Sequence, residues 1–297
     1  MYKLNACALC GKTGDIKLSH IIPKLVGRRL KKTSIGKIRN IENVNNPVQD
    51  IEKHYLLCDT CEKFFNKYET WFANNIFNPY LNKEKDDFDY DEHLHYFLTS
   101  LSWRSLYLDI MDFVQYGGIG IEALQCLIAS EEILRSYLLN KRNDIGQIEN
   151  HIFFYDRIQK ATGEFGKELK QLHPHTSIFR SINSYTNCYE NVGTFFTITN
   201  MMGLIVVTFY KKSIDEKWIN TKVEIGKGNI KARNQYIASI VGNDLKEIME
   251  YIEEQKSKLS ENQKEIIKKR IKSVGNNIKN YDIFQNMIDD INLKNRG

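Results

Sequence analysis

Two pairs of cysteines are the residues in this 297-residue chain whose type and spacing most clearly predict chemistry. Cys7 and Cys10 form one Cys-x-x-Cys pair, and Cys58 and Cys61 form the other. Thiolates suit tetrahedral zinc, and the two-residue spacing lets both sulfurs of a pair reach one ion. A redox-active Cys-x-x-Cys is the alternative, but a redox protein is expected to carry one such motif. We therefore expect a closed structural Zn²⁺ site, which stabilises a fold and does no chemistry itself.

His20 is the candidate for the chemistry. It follows a short apolar–polar alternation at Ile16 and Leu18, so we expect it at the end of a strand. Pro23, three residues later, is expected to open the next helix. A lone histidine is more often structural than catalytic, and it is the neighbourhood of His20 that favours a catalytic role.

That neighbourhood is strongly basic. Residues 17–39 contain eight lysines and arginines and no acid. Such a segment supplies the phosphate contacts that give sequence-independent affinity for nucleic acid. A lysine-rich surface helix without a ligand is the alternative. The residues expected to contact phosphate are Lys24, Arg28, Arg29, Lys31 and Lys32.

A third set of candidates follows the second cysteine pair, where a short strand at Tyr55–Leu57 is expected to lead into a helix at about Asp59. Glu62 and Asn66 are four residues apart and therefore share a helical face. Their oxygens are hard donors that suit Mg²⁺. The alternative for Glu62 is an acid that stabilises a helix N-terminus.

The order of these features resembles the HNH endonucleases, the zinc-knuckle branch of the His-Me finger (treble-clef) nucleases. The resemblance covers residues 7 to about 70 and consists of Cys-x-x-Cys, a strand ending in His-Ile-Ile-Pro, and Leu-Leu-Cys-x-x-Cys opening a helix. It implies that the cysteines hold a ββα core and that His20 is the general base that activates water. Glu62 would match the position of the family's metal-binding histidine, with Asn66 as a second candidate, for a catalytic Mg²⁺ or Mn²⁺.

Two residues depart from the family pattern. Ser19 stands where the family usually has an acidic or histidine metal ligand, and Lys53 stands where it has an asparagine. Two functions therefore stay open. One is a metal-dependent endonuclease that hydrolyses nucleic acid, with DNA favoured, as in a prokaryotic restriction or antiviral defence effector. The other is a catalytically silent zinc-knuckle module that binds nucleic acid or serves as an interaction subunit.

The elements around these residues predict an α+β fold. We expect an N-terminal treble-clef domain at 1–80, a helical segment at 81–145 and an α+β domain of unknown role at 146–297. Helices are predicted at 93–116, 121–139, near 163–172 and from Ser260 to Ile278, the last with a capping box formed by Ser260 and Gln263. Strands of a small antiparallel sheet are predicted at 151–156, 193–199 and 203–210, with a turn at 200–203. The acidic stretch 84–92 is interpreted as a loop or helix lead-in.

Composition sets the remaining expectations. The net charge is only +5, and six cysteines are too few for a disulfide-rich secreted fold. No apolar run approaches the roughly 20 residues of a membrane span. The N-terminal residues lack an apolar signal-peptide core. We therefore expect a cytoplasmic protein whose partner is nucleic acid, with a regulatory protein as a further partner and no membrane contact.

Overall fold

The N-terminal residues form a small two-stranded sheet, with one helix between its strands in sequence and a second helix after them. The computed structural model describes residues 5–155, 160–161 and 172–295. Strands β1 and β4 pair antiparallel, and helix α2 follows β4 directly. The elements in chain order are β1 (Ile16–His20), α1 (Lys24–Lys32), β2 (Ile38–Arg39), β3 (Pro47–Val48), β4 (Lys53–Cys58) and α2 (Asp59–Phe72). The predicted strand end at His20 and the predicted helix start at Asp59 are both present.

Strand β1 departs from the simple alternation that the sequence predicts. Its pairing with β4 shifts register between Lys17 and Leu18. Because of this bulge, Ile16 and Ser19 both face inward although they are three residues apart. Leu18, expected on the same face as Ile16, is largely exposed instead.

The acidic stretch 84–92 contains a strand that we did not predict. A π-helical turn at Ala73–Phe77 and a short helix α3 (Asn78–Leu81) lead into β5 (Asp87–Tyr90), which pairs with residues Gly228–Lys231. Phe88 and Tyr90 are buried, whereas the intervening acids are exposed. The period of two was present in the sequence but was hidden by the number of acids.

Two long helices follow, close to their predicted bounds. They are α4 (Glu92–Tyr116) and α5 (Ile121–Leu138). Asp91 caps α4 by accepting a hydrogen bond from the His93 backbone amide at 3.0 Å. The first half of α4 is buried on every side because it packs against α2, α5 and the main sheet.

The main sheet is four-stranded and entirely antiparallel, in the order β6-β10-β9-β8. All three predicted strands are present, and β8 is an additional one. The elements of this part are β6 (Glu149–Phe154), β7 (Lys160–Ala161), α6 (Pro174–Phe179), β8 (Ile182–Tyr189), β9 (Thr194–Met201), β10 (Leu204–Lys211), β11 (Lys217–Ile219), β12 (Gly228–Lys231) and β13 (Tyr236–Ala238). The helix predicted near 163–172 lies, apart from its last residue, outside the described residues.

The turn between β9 and β10 depends on glycine. Gly203 has a φ of +90°, which favours a residue without a side chain. A Cβ atom at this position would also lie 2.1 Å from the Phe179 ring. The predicted turn at 200–203 is therefore fixed by backbone conformation and by packing together.

The described chain ends in helices. They are α7 (Val241–Ser257), α8 (Glu261–Val274) and α9 (Asp282–Asn295). The predicted helix to Ile278 is α-helical only to Val274, where a 3₁₀ segment at Gly275–Asn280 replaces it. Ser260 caps α8 through the Gln263 backbone amide at 3.3 Å. Within the described residues, no helix combines the length and the apolar character that a membrane span requires.

One hydrophobic core joins all three predicted domain segments. It contains Val26 from α1, Phe97 from α4 and Val206 from β10, each fully buried. The boundaries at 80 and 145 therefore cross a shared core, and the division into three domains stays a prediction.

Candidate functional site

The four cysteines of the two pairs lie together at one end of the β1–β4 sheet. Cys58 is the last residue of β4, and Cys61 lies in the first turn of α2. Cys7 and Cys10 lie in a tight turn before β1, closed by a hydrogen bond from the Gly11 amide to the Cys7 carbonyl at 2.8 Å. The Ala8 amide donates to the Leu56 carbonyl at 2.9 Å and ties this turn to β4.

The sulfur positions fit one tetrahedral metal ion. All four Sγ atoms lie within 4.8 Å of one another, and the Cys10 and Cys58 sulfurs are 3.8 Å apart. Zinc–sulfur bonds of about 2.3 Å in a tetrahedron place the sulfurs about 3.8 Å apart. The four cysteines can therefore hold a zinc ion, as their spacing predicts.

Burial affects the pKa of three of these thiols. Burial raises the pKa of both Cys7 and Cys61. Burial opposes ionisation of Cys58 as well, but hydrogen bonds from Cys61 and the other thiols outweigh it and lower its pKa. Because the thiolate is the form that binds metal, a bound cation would stabilise charges that burial disfavours.

Ser19 and Glu62 form the contact next to the cysteine cluster. Ser19 is 1% exposed, and its hydroxyl donates to Glu62 Oε2 at 2.6 Å. Glu62 lies one residue after Cys61, so the helix that carries the cysteine also sets the position of this carboxylate. The residue that replaces the expected metal ligand is thus in direct contact with the other predicted ligand.

His20 has a different carboxylate partner. Its Nε2 atom lies 3.1 Å from Asp50 Oδ2, and Lys53 Nζ lies 3.2 Å from the same oxygen. Partial burial opposes ionisation of Asp50, but the hydrogen bonds from His20 and Lys53 outweigh it and lower its pKa to about 2. Asp50 is therefore ionised at neutral pH. Because a carboxylate only accepts hydrogen bonds, His20 Nε2 must carry the proton.

His20 and Glu62, which were predicted to serve one reaction, each contact a different partner. Glu62 contacts Ser19, and His20 contacts Asp50. Among the described residues, no hydrogen bond joins His20 to Glu62, although Ser19 and His20 are neighbours in β1.

Asn66, the second predicted metal ligand, lies one turn after Glu62 and is exposed. No hydrogen bond joins its side chain to Ser19, His20 or Glu62, all of which are described. Its backbone carbonyl accepts a hydrogen bond from the Thr70 hydroxyl at 2.8 Å. Nothing in this geometry selects Asn66 as a ligand.

Helix α4 holds the end of β1 in place through Arg104. This buried guanidinium donates to the His20 carbonyl at 3.1 Å and pairs with Glu69 at 2.6 Å. It also lies over the Phe65 ring, 4.9 Å from its centre. Sequence reasoning missed Arg104 because it lies within a strongly apolar helix, 84 residues from its partner. It missed Asp50 because the loop between α1 and β4 brings that acid to His20.

The basic helix α1 presents four of the five predicted phosphate-binding residues on one exposed face, namely Lys24, Arg28, Lys31 and Lys32. Lys31 donates to the Gln49 carbonyl. Within the described part of the chain, Lys24, Arg28 and Lys32 form no ion pair. Arg29 lies on the other side of the helix. Its guanidinium donates to the Asn82 side chain at 2.7 Å and therefore already has a partner within the protein.

A second group of possible metal ligands lies at the start of α4. It consists of Asp91, Glu92 and His93, whose ligand atoms are also close together. Asp91 already caps the helix and accepts from His93 Nδ1 at 2.9 Å, and the His93 ring stacks on Trp71. These contacts account for the cluster without a metal ion.

Comparison with known proteins yields no relative. No family model matches the chain, and no curated protein and no solved structure matches it either. The resemblance to HNH endonucleases therefore depends only on the motif residues between 7 and about 70.

Proposed function

We propose that residues 1–80 form an HNH-like endonuclease domain that hydrolyses phosphodiester bonds, with DNA as the favoured substrate. The main support for the proposal is that His20 pairs with Asp50 beside the exposed cationic face of α1. A histidine oriented by a carboxylate is the arrangement that general-base catalysis requires.

His20 is the proposed base. Asp50 accepts a hydrogen bond from the Nε2–H group of His20. The lone pair of Nδ1 is therefore the one that can accept a proton from water. The resulting hydroxide attacks phosphorus, and the bond from phosphorus to the leaving sugar oxygen breaks. Asp50 stabilises the imidazolium that forms, and this imidazolium or water returns a proton to the leaving oxygen. General-base assistance of this kind contributes about 10²–10⁴-fold to the rate. Arg104 holds the His20 backbone and so keeps the ring at the end of β1.

The exposed cations of α1 are the proposed phosphate contacts. Lys24, Arg28 and Lys32 lack ion-pair partners among the described residues, so they can bind phosphate oxygens without first breaking an ion pair. Each contact releases counterions from the nucleic acid, so affinity should fall steeply with salt.

Glu62 is the proposed ligand of a catalytic Mg²⁺ or Mn²⁺, with the Ser19 hydroxyl beside it. Both offer hard oxygen atoms, as these ions prefer, but two oxygens are fewer than an octahedral ion needs. Water and phosphate oxygens must supply the rest. When bound, such an ion polarises the phosphate and stabilises the leaving oxygen. Asn66 is the weaker candidate because it is exposed and apart from Ser19.

The cysteine cluster is proposed to hold a structural zinc ion. Its four ligands come from the turn before β1, the end of β4 and the start of α2. Zinc would therefore fix the relative positions of the strand that carries His20 and the helix that carries Glu62. It would take no part in the reaction, because protein ligands fill all four positions.

The test is cleavage of supercoiled plasmid DNA with Mg²⁺ or Mn²⁺, compared with the same reaction without divalent ions. We expect His20→Ala to abolish cleavage and Asp50→Asn to reduce it by at least about tenfold, because the ring loses its orienting charge. The matched control is His54→Ala. His54 lies on β4 and pairs with the exposed Glu52, so its loss should leave cleavage unchanged. Unchanged cleavage by His20→Ala, with zinc content intact, would refute the proposal.

A silent nucleic-acid-binding module is the second candidate, and the contact between Ser19 and Glu62 favours it. This contact satisfies the carboxylate by a hydroxyl, without any metal ion. Intact plasmid in every divalent ion, together with salt-sensitive DNA binding in a gel shift, would establish this function instead.

A further inference from the structure

Helix α8 carries two kinds of cation. Lys264 and Lys268 each pair with a glutamate three residues earlier, at 2.7 Å in both cases. By contrast, Lys269, Arg270 and Lys272 have no carboxylate partner within the described ranges. The positive charge of the first pair is balanced on the helix, and that of the other three is not.

This helix is docked on the N-terminal domain by hydrogen bonds at its start. Asn45 accepts from the Ser260 amide at 2.9 Å and donates to the Lys258 carbonyl at 3.1 Å. Arg39 of β2 donates to Gln263 Oε1 at 2.8 Å. In the predicted capping box, Gln263 would accept from Ser260, but both groups bind the N-terminal domain instead. The two groups that would complete the capping box therefore attach the start of α8 to the N-terminal residues.

A short series of contacts connects α8 to the His20 site. Arg39 lies on β2, and β2 pairs with β3 at Pro47–Val48. Gln49, the next residue, accepts a hydrogen bond from Lys31 of the basic helix. Asp50 follows and contacts His20. Helix α8 and the exposed face of α1 therefore flank the same β2–β3 ribbon.

The positive charge of Arg270 on α8 acts on Arg39 of β2. Arg39 is hydrogen bonded only to neutral groups among the described residues, the Val44 carbonyl and the Gln263 side chain. Burial, followed by the charge of Arg270, lowers the pKa of Arg39. Repulsion between like charges costs energy in the free protein, and a bound anion would reduce that cost.

We propose that α8 extends the nucleic-acid surface of α1, with Lys269, Arg270 and Lys272 contacting backbone phosphates of the same duplex. The inference rests on the proposed function, because it takes nucleic acid to be the partner of α1. It adds that the last third of the chain contributes directly to substrate binding. Spaced cations with few balancing acids match a regular array of phosphates better than a protein surface of mixed charge.

The test is binding of a fluorescein-labelled 30-base-pair DNA duplex, measured by anisotropy at several salt concentrations in a His20→Ala background that prevents cleavage. We expect the triple variant K269Q/R270Q/K272Q to bind at least about tenfold more weakly. The slope of log K against log salt should fall by about 2–3, because each lost phosphate contact removes about 0.9.

The matched control is K264Q/K268Q on the same helix. It removes two positive charges where the triple variant removes three, but these two are already paired. If net charge alone mattered, both variants would weaken binding to a similar extent, and that result would overturn the inference. Circular dichroism and zinc content should be unchanged in both variants.

A third variant separates this inference from the proposed function. K24Q/R28Q/K32Q should also weaken binding, because it removes the exposed cations of α1. If it does so while the α8 triple variant binds normally, the inference about α8 is wrong and the proposed function stands. If neither variant changes binding, both are wrong.

Discussion

The β1–β4 region and the four-stranded sheet are stabilised in different ways, although one hydrophobic cluster contains residues of both. All eight residues of β9 are buried, and apolar side chains from both of its faces enter hydrophobic clusters. The β1–β4 sheet has only two strands, and its apolar cluster includes two of the metal-site cysteines, Cys7 and Cys61. Hydrophobic burial can account for the sheet, whereas a two-stranded ribbon of this size ordinarily needs further support.

The two regions also differ in how their polar groups are satisfied. Between α4 and the sheet, buried polar side chains form a continuous hydrogen-bond network. Ser102 contacts Thr208 at 2.7 Å, Thr208 donates to Asn150 at 2.6 Å, and Asn150 donates to Thr99 at 2.9 Å. At the N-terminal site, His20 and Asp50 are partly exposed. Lys24, Arg28 and Lys32 of α1 form no ion pair with any residue that the structure describes. A network whose polar groups are bonded within the protein favours one structure. Exposed groups with unused hydrogen-bonding capacity can instead bind a substrate.

The largest expected effect is loss of the metal site by Cys58→Ser. Apparent binding energies of structural zinc are about 10–16 kcal/mol, so losing one ligand should unfold the β1–β4 region. We expect zinc content to drop and amide hydrogen exchange to become fast in residues 5–72, while β9 and β10 stay protected. Cys126→Ser, outside the cluster, is the control and should keep the metal. Equal loss of protection in both regions would show that they unfold together.

Phe196→Ala should give the reverse pattern. This ring is fully buried in β9 and packs against Phe209. Removing it should lower the free energy of unfolding by about 3–5 kcal/mol through lost burial and a cavity. Urea denaturation measures this change, and zinc content should stay at one ion per chain. Ile214→Ala, at a side chain that is 96% exposed, should change stability by less than about 0.5 kcal/mol.

Acid should weaken the hydrogen-bond network between α4 and the sheet through His95, whose Nε2 atom lies 3.4 Å from the Asn150 side-chain nitrogen. Burial lowers the pKa of this histidine to about 4, against about 6.5 in the unfolded chain. The stability that neutral His95 contributes is fully present above pH 6.5. It is lost as the pH falls toward 4, because in that range only the unfolded chain takes up the proton. Between pH 7 and 5 this should cost about 2 kcal/mol.

The measurement is urea denaturation at both pH values for the wild type and for His95→Asn. The variant is expected to be less stable throughout but to show a smaller difference between the two pH values. An equal pH difference in both proteins would mean that His95 is not the group responsible.

The smallest effect is expected at the contact between α8 and the N-terminal domain. Ser260→Ala removes the cap of α8 and should cost about 0.5–1 kcal/mol. We expect faster hydrogen exchange in the first turn of α8 and little change in β9. Ser273→Ala, near the other end of the same helix, is the matched control. If both variants behave alike, the cap does not hold α8 in place.

Local patterns predicted much of the fold and part of the site. The helix at 93–116, the strand ending at His20 and the cysteine cluster depend on short-range periodicity or on paired spacing, which a sequence displays directly. The partnership of His20 with Asp50 and the docking of Gln263 on Arg39 depend on contacts between residues distant in the chain. No local signal encodes such contacts.

The pairing of β5 with β12 has a consequence for the order of folding during synthesis. Asp87–Tyr90 meets its partner strand only after about 140 further residues have been made. Until then Phe88 and Tyr90 lack the strand that pairs with theirs, although the region before them has already left the ribosome. The first third of the protein should therefore complete its native packing late, and exposed edges at this stage are where chaperones are most needed.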